Sequence, residues 1–224
     1  MAAPPLFRVI YENAHILAVE KPAGMVTHPV YKHPNGTLVD FVAEWRAARG
    51  LARPWLLHRL DKGTSGVVLF AASEHMLRIG ARQFERHEVS KCYLALVWGA
   101  DLPDEGIIDA PLGRDPADRR RVIVRDDGQA AQTRYEVLER RGGHALLRLR
   151  PITGRMHQLR AHLASIGHPI CGDETYALDL PSCSRLMLHA EAITIRVPHA
   201  GGARPRTFLA PMPPDFASAL QCGA

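Results

Sequence analysis

The chain has 224 residues, 46% of them hydrophobic, which suffices for a substantial core in one large domain or two closely packed halves. Its formal net charge is +5, and the only lysines are Lys21, Lys32, Lys62 and Lys91, so arginine carries the surplus; this favours an anionic partner, although a GC-rich genome would enrich arginine without one. The four cysteines are scattered without a C-x-x-C pair, which excludes a zinc ribbon or disulfide framework, and the absence of an apolar leader or an eighteen-residue apolar run argues against export or membrane insertion, so a cytoplasmic setting is expected.

Taken in chain order, Phe7, Val9 and Tyr11 alternate with polar residues, the pattern breaks at Glu12-Asn13-Ala14, and His15 to Val19 resumes it before Pro22 and Gly24, as in a hairpin. Thr37, with Asp40 three residues on, opens a capping-box-like start, and Leu38, Phe41, Val42, Trp45 and Ala48 follow at helical spacing until Gly50. Val67 to Ala72 is a short apolar run that reads as a buried strand. A second amphipathic helix is predicted from Ser73, as N-cap, to Arg86. Strands are predicted at 93–98, 121–124, 133–138 and 145–149. A third helix opens at Arg155, carries Met156, Leu159, Leu163 and Ile166 on one stripe, and ends at Gly167. Short strands at 193–197 and 207–209 and a helix near Phe216 complete the chain, which reads as one α+β domain without internal repeats.

The segment His58 to Gly66 is the most informative, because it hangs Asp61 in a basic, glycine-punctuated turn ahead of a rigid strand, where loops present catalytic side chains. Taken alone, an acid in a turn is usually structural, capping the turn or standing in solvent. Three familiar motifs fail here. A hydrolase G-x-S-x-G would need glycine at Val67, a kinase loop would need aspartate directly after arginine, and His157 and His162 are five apart without the glutamate of a zinc-binding H-E-x-x-H. Tyr93, after Lys91-Cys92, is either a packed strand aromatic or a functional phenol. Arg155, at the first turn of its predicted helix, is unfavourably placed for the macrodipole and therefore reads as held for an anionic partner.

His58-Arg59-Leu60-Asp61 through Gly66, Lys91 to Gly99, Thr153 to Leu163 and Leu188-His189-Ala190, in that order, resemble the motif series of the RluA family of pseudouridine synthases. The likeness runs from Lys21-Pro22-Ala23-Gly24 to Ala210-Pro211 and, by the stretches 131–133 and 151–155, is strongest to the dual-specificity type acting on 23S ribosomal RNA and transfer RNA. The resemblance implies the pseudouridine synthase fold, a mixed, mainly antiparallel bent sheet flanked by helices around a central active-site cleft. It also implies a single catalytic domain over 1–224, with no appended S4-type RNA-binding domain.

The same resemblance implies isomerisation of a specific uridine in RNA, without metal or organic cofactor. Asp61 would be the nucleophile, Tyr93 the phenol lying against the target base and helping to take the proton from the new carbon link, and Arg155 the partner of the catalytic carboxylate. Arg59 would help fill the space left by the flipped nucleotide or contact a phosphate. With His58 and Arg160 it makes up the candidate RNA-binding set. Arg119-Arg120-Arg121 and Arg125 are a further basic run, readable as RNA contacts or as a solvated loop. The expected partner is 23S ribosomal RNA, transfer RNA or both; a monomer would suffice, and no membrane is involved. The rival reading is a non-catalytic RNA-binding or ribosome-assembly factor on the same fold.

Overall fold

In the computed structural model the described residues are 6–177, 180 and 183–222. In chain order the elements are β1 (Arg8–Glu12), β2 (Ile16–Lys21), α1 (Leu38–Ala47), β3 (Trp55–Leu56), β4 (Ser65–Ala71), α2 (Glu74–Glu85), β5 (Ser90–Trp98) and β6 (Glu105–Asp109). They continue with β7 (Leu112–Arg114), β8 (Val122–Val124), β9 (Gln132–Arg141), β10 (His144–Pro151), α3 (Gln158–Ser165), β11 (Leu188–His199), β12 (Gly202–Leu209) and α4 (Pro214–Cys222). The chain divides into two compact units, one of residues 1–90 and 190–210, the other of 91–189 and 211–224.

In the first unit the strand order is β1-β2-β4-β11, with β12 on β11 and β3 on β4. The β1/β2 hairpin is antiparallel, as predicted, with a bulge between Val9 and Tyr11. β4 is buried along its whole length, which is why it reads as a continuous apolar run rather than as an alternation. Gly66, within β4, has φ +115°, and a Cβ there would lie 2.2 Å from the Ala190 carbonyl oxygen, so only glycine lets β11 approach. Ile16, Val67, Leu69, Met76, Ile193 and Ile195 form the core. Both predicted caps are present: Thr37 and Asp40 make the reciprocal capping box of α1, and the Ser73 hydroxyl accepts the Met76 amide of α2.

The second unit is built on β5-β10-β9-β6, with a separate antiparallel β7/β8 pair. Leu94, Leu96, Leu147, Leu149, Leu163 and Phe216 lie in its core. α3 begins at Gln158, three residues later than predicted, because His157 takes a left-handed conformation (φ 52°, ψ 17°) that a helix cannot contain. Its C-terminus follows the expectation: Gly167 at φ +83° lets its own amide reach the Ala164 carbonyl and that of His168 reach the Leu163 carbonyl. β3, β6 and β7 were not foreseen, being two to five residues long and, in β6 and β7, interrupted by glycine and charge.

Candidate active site

Asp61 lies in the first unit on the turn that feeds β4, half-buried, and the backbone on both sides of it is tied down. Lys21, at the end of β2, is completely buried, and its ammonium donates to the carbonyls of Pro22 (3.0 Å), Met25 (2.8 Å) and Lys62 (3.2 Å). The Gly24 amide donates to the same Lys62 carbonyl at 2.8 Å. On the other side the Thr27 hydroxyl donates to the Leu60 carbonyl at 2.7 Å and accepts the Leu60 amide at 3.3 Å. The Thr64 amide closes the turn on the Asp61 carbonyl at 3.1 Å. A buried cation and a buried hydroxyl therefore clamp the residues before and after Asp61, as a carboxylate that must meet a reacting atom in one geometry requires.

The neighbours of Asp61 take different parts. Arg59 is exposed and makes no side-chain bond among the described residues, so its fork is open to a ligand. His58, of the candidate RNA-binding set, accepts the Leu69 amide at its Nε2 at 3.1 Å, and its ring stacks on Phe84 at 5.2 Å. The imidazole is committed to holding the loop against β4 and α2.

In the second unit Tyr93 sits on β5 opposite Leu149 of β10, half-buried against the core. Lys91, two residues earlier and so on the same face of the strand, donates to the Thr153 carbonyl at 3.0 Å, and burial lowers its pKa. That bond ties the strand of Tyr93 to the turn of Arg155. Gln158, almost fully buried, shapes the turn: its Oε1 accepts the Thr153 hydroxyl (2.7 Å) and the Arg155 amide (3.0 Å), while its Nε2 donates to the Gln132 carbonyl and the Thr133 hydroxyl, both at 3.0 Å. Arg155 is thus placed by a side-chain-capped turn and not by a helix, so the macrodipole argument for it does not apply. Its Nε donates to the Ala130 carbonyl at 3.2 Å.

Arg160 belongs to the same candidate set. It is buried, and its guanidinium grips Asp173 through two bonds of 2.7 Å, adds the Thr175 hydroxyl at 2.9 Å and lies over the Tyr176 ring. Such a fork matches a carboxylate bidentately in the interior. His162, set aside above as a zinc ligand, is likewise interior, bonded to the Thr133 hydroxyl (2.9 Å) and the Ala110 carbonyl (3.0 Å), with its pKa lowered mainly by burial. In the basic run Arg119 and Arg120 are exposed, Arg120 pairs with Asp118 and Arg125 with Asp127, and Arg121 lies over the Tyr176 ring.

The fold these features occupy is that of a pseudouridylate synthase: a solved structure titled human RNA pseudouridylate synthase domain containing 1 matches with a TM-score of 0.74 and 25% identity over 99% of this chain and 98% of that one. The RNA pseudouridylate synthase family matches residues 15–165, spanning both His58–Gly66 and the Arg155 turn, and the chain belongs to that family. An uncharacterized RNA pseudouridine synthase of Chloroflexus aurantiacus is 42% identical over 90% of this chain. The dual-specificity RNA pseudouridine synthase RluA of Escherichia coli strain K12 is 38% identical over 92% of this chain and 94% of the relative. The chain spans 64% of the length of the Chloroflexus relative.

Lys21, Thr27, Lys91 and Gln158 were not singled out as functional from sequence. The signal available for Lys21 was a lysine between an apolar strand and a proline; for Gln158, an amide three residues beyond Arg155.

Proposed function

We propose that this protein isomerises uridine to pseudouridine in RNA, with Asp61 as the nucleophile. In this reading a carboxylate oxygen of Asp61 bonds to ribose C1′ as the bond to uracil N1 breaks, the base rotates while held, and the C5–C1′ bond forms as the bond from Asp61 to C1′ breaks. The proton leaving C5 is taken up with the help of the Tyr93 phenol and N1 regains one, so the atoms balance and neither oxidant nor metal enters the scheme. Arg155 is the third catalytic residue of the scheme. Arg59, exposed in the structure, takes part in holding the RNA once the target nucleotide has left its stack. All the residues of the scheme lie in one chain, and a monomer suffices.

The observation that carries this reading is the double clamp on the Asp61 turn, by Lys21 at Lys62 and by Thr27 at Leu60, within a chain of this family. A merely solvated acid needs no buried ammonium beneath its backbone. For the substrate we propose ribosomal RNA of the large subunit, transfer RNA or both, supported by the extended likeness to the dual-specificity relative. The test incubates the purified protein with uridine-containing transcripts of 23S ribosomal RNA and transfer RNA and maps pseudouridine. Site-specific conversion is expected. Tight, salt-sensitive binding without conversion would instead identify a non-catalytic RNA-binding or assembly factor.

A further inference from the structure

The first unit carries a second feature that the reaction scheme does not use. Between β2 and α1 the chain makes a tight turn closed by two reciprocal backbone bonds, from the Val30 amide to the His33 carbonyl (3.0 Å) and from the His33 amide to the Val30 carbonyl (2.8 Å). At its tip Tyr31 is completely exposed, at 101%, with Lys32 and His33 exposed beside it and Val30 at 42%. An aromatic ring standing wholly in solvent on a rigid turn contributes nothing to the core.

The stalk of this turn is anchored where the chemistry is proposed. Thr27, three residues before the turn closes, is the residue whose hydroxyl bonds twice to Leu60, next to Asp61. The backbone on either side is pinned as well: Leu38 and Val39, at the start of α1, donate to the carbonyls of Val26 and Thr27, and Lys21 donates to that of Met25. The tip is therefore presented in a set direction from the frame that fixes the Asp61 turn.

We propose that the Val30–His33 turn is an RNA-docking finger, in which Tyr31 stacks on an unpaired base flanking the target uridine and Lys32 meets a phosphate. This rests on the reading of the protein as a pseudouridine synthase. A tyrosine loses little rotamer freedom on stacking and offers a face to any base, and unpaired loop bases are recognised chiefly in this way. The flanking cation and the net charge of +5 favour a polyanion over a protein partner for this tip.

The test compares wild type, Tyr31→Ala, Tyr31→Phe and Lys32→Ala on a purified transcript that wild type converts, with steady-state kinetics, RNA affinity against salt, and thermal midpoints. Tyr31→Ala is expected to raise KM about five- to a hundredfold with kcat little changed, the range set by one lost base stack. Tyr31→Phe should stay within about twofold of wild type, because stacking needs the ring and not the hydroxyl. Lys32→Ala should reduce the slope of log affinity against log salt by about one. All four thermal midpoints should coincide, since these side chains are exposed. Wild-type KM and affinity in Tyr31→Ala, or equal damage in Tyr31→Phe, overturn the finger while the synthase reading stands. A deficit seen only in cell extract and absent on naked RNA also overturns it, in favour of a protein contact. A wild type that converts no RNA overturns the synthase reading and the finger with it.

Discussion

Replacing Lys21 by methionine removes the ammonium from beneath the Asp61 turn while nearly preserving the volume of the side chain. Among the bonds lost are those to the carbonyls of Pro22, Met25 and Lys62. The Lys62 carbonyl keeps the Gly24 amide as a donor, so the penalty falls on Pro22 and Met25. A buried acceptor left without its donor costs about 1–3 kcal/mol, and part of the sum is returned because the variant no longer desolvates a charge, so a net loss of about 2–4 kcal/mol is expected. The effect on activity should be larger than this loss of stability suggests. Lys62 adjoins Asp61, and a displacement of about 1 Å at a reacting group can cost on the order of a hundredfold in rate. Urea unfolding gives the first quantity, and pseudouridine formation at a temperature where the variant remains folded gives the second. If Lys21→Met unfolds at the wild-type urea concentration and converts RNA at the wild-type rate, the ammonium does not organise the turn.

Other expectations concern the second unit. Asp173→Asn strips the charge from a buried, bidentate pair and leaves the Arg160 guanidinium uncompensated; a loss of about 3–5 kcal/mol in urea unfolding is expected, with little dependence on salt. Gln158→Leu keeps the bulk of the side chain but releases Thr153 and the Arg155 amide, so RNA conversion should fall well beyond the change in thermal midpoint, and equal turnover would remove Gln158 from the site. His162 has its pKa lowered below that of the unfolded chain chiefly by burial, so the unfolded state binds the extra proton first. Its contribution to stability is therefore complete above about pH 6.5 and is lost as the pH falls below that value towards the folded pKa, by at most about 1.4 kcal/mol per pH unit. Unfolding free energies measured at pH 7.5 and 5.5 should lie closer together in His162→Gln than in wild type, and an equal gap in both would assign the pH dependence to another group.

Much of the framework was legible where a single local rule governs it. The β1/β2 hairpin follows from alternation, α1 from the Thr37–Asp40 capping box and α2 from Ser73, because each is decided within a few residues. The start of α3 was misread because the apolar stripe extends back through Met156, while the backbone is turned away by His157 and by the Gln158 amide, a side-chain contact that periodicity does not record. The pairing of Arg160 with Asp173 is not legible in the sequence, because Asp173 lies thirteen residues on, beyond the helix and at no helical or strand spacing. The contacts of His58 are hidden for the same reason, since Leu69 and Phe84, which engage it, come from β4 and α2. Asp61, by contrast, could be singled out from its turn, but the clamp that makes the turn rigid comes from Lys21 and Thr27, which only the fold brings there.

The central claim is that Asp61 acts as a nucleophile, and the most direct measurement is single-turnover conversion of a matched transcript by wild type and by Asp61→Asn. The substitution keeps size and hydrogen-bonding capacity, so folding and RNA affinity should be nearly unchanged. Pseudouridine should then form with wild type and be undetectable with the variant. Conversion by Asp61→Asn at the wild-type rate would contradict the account.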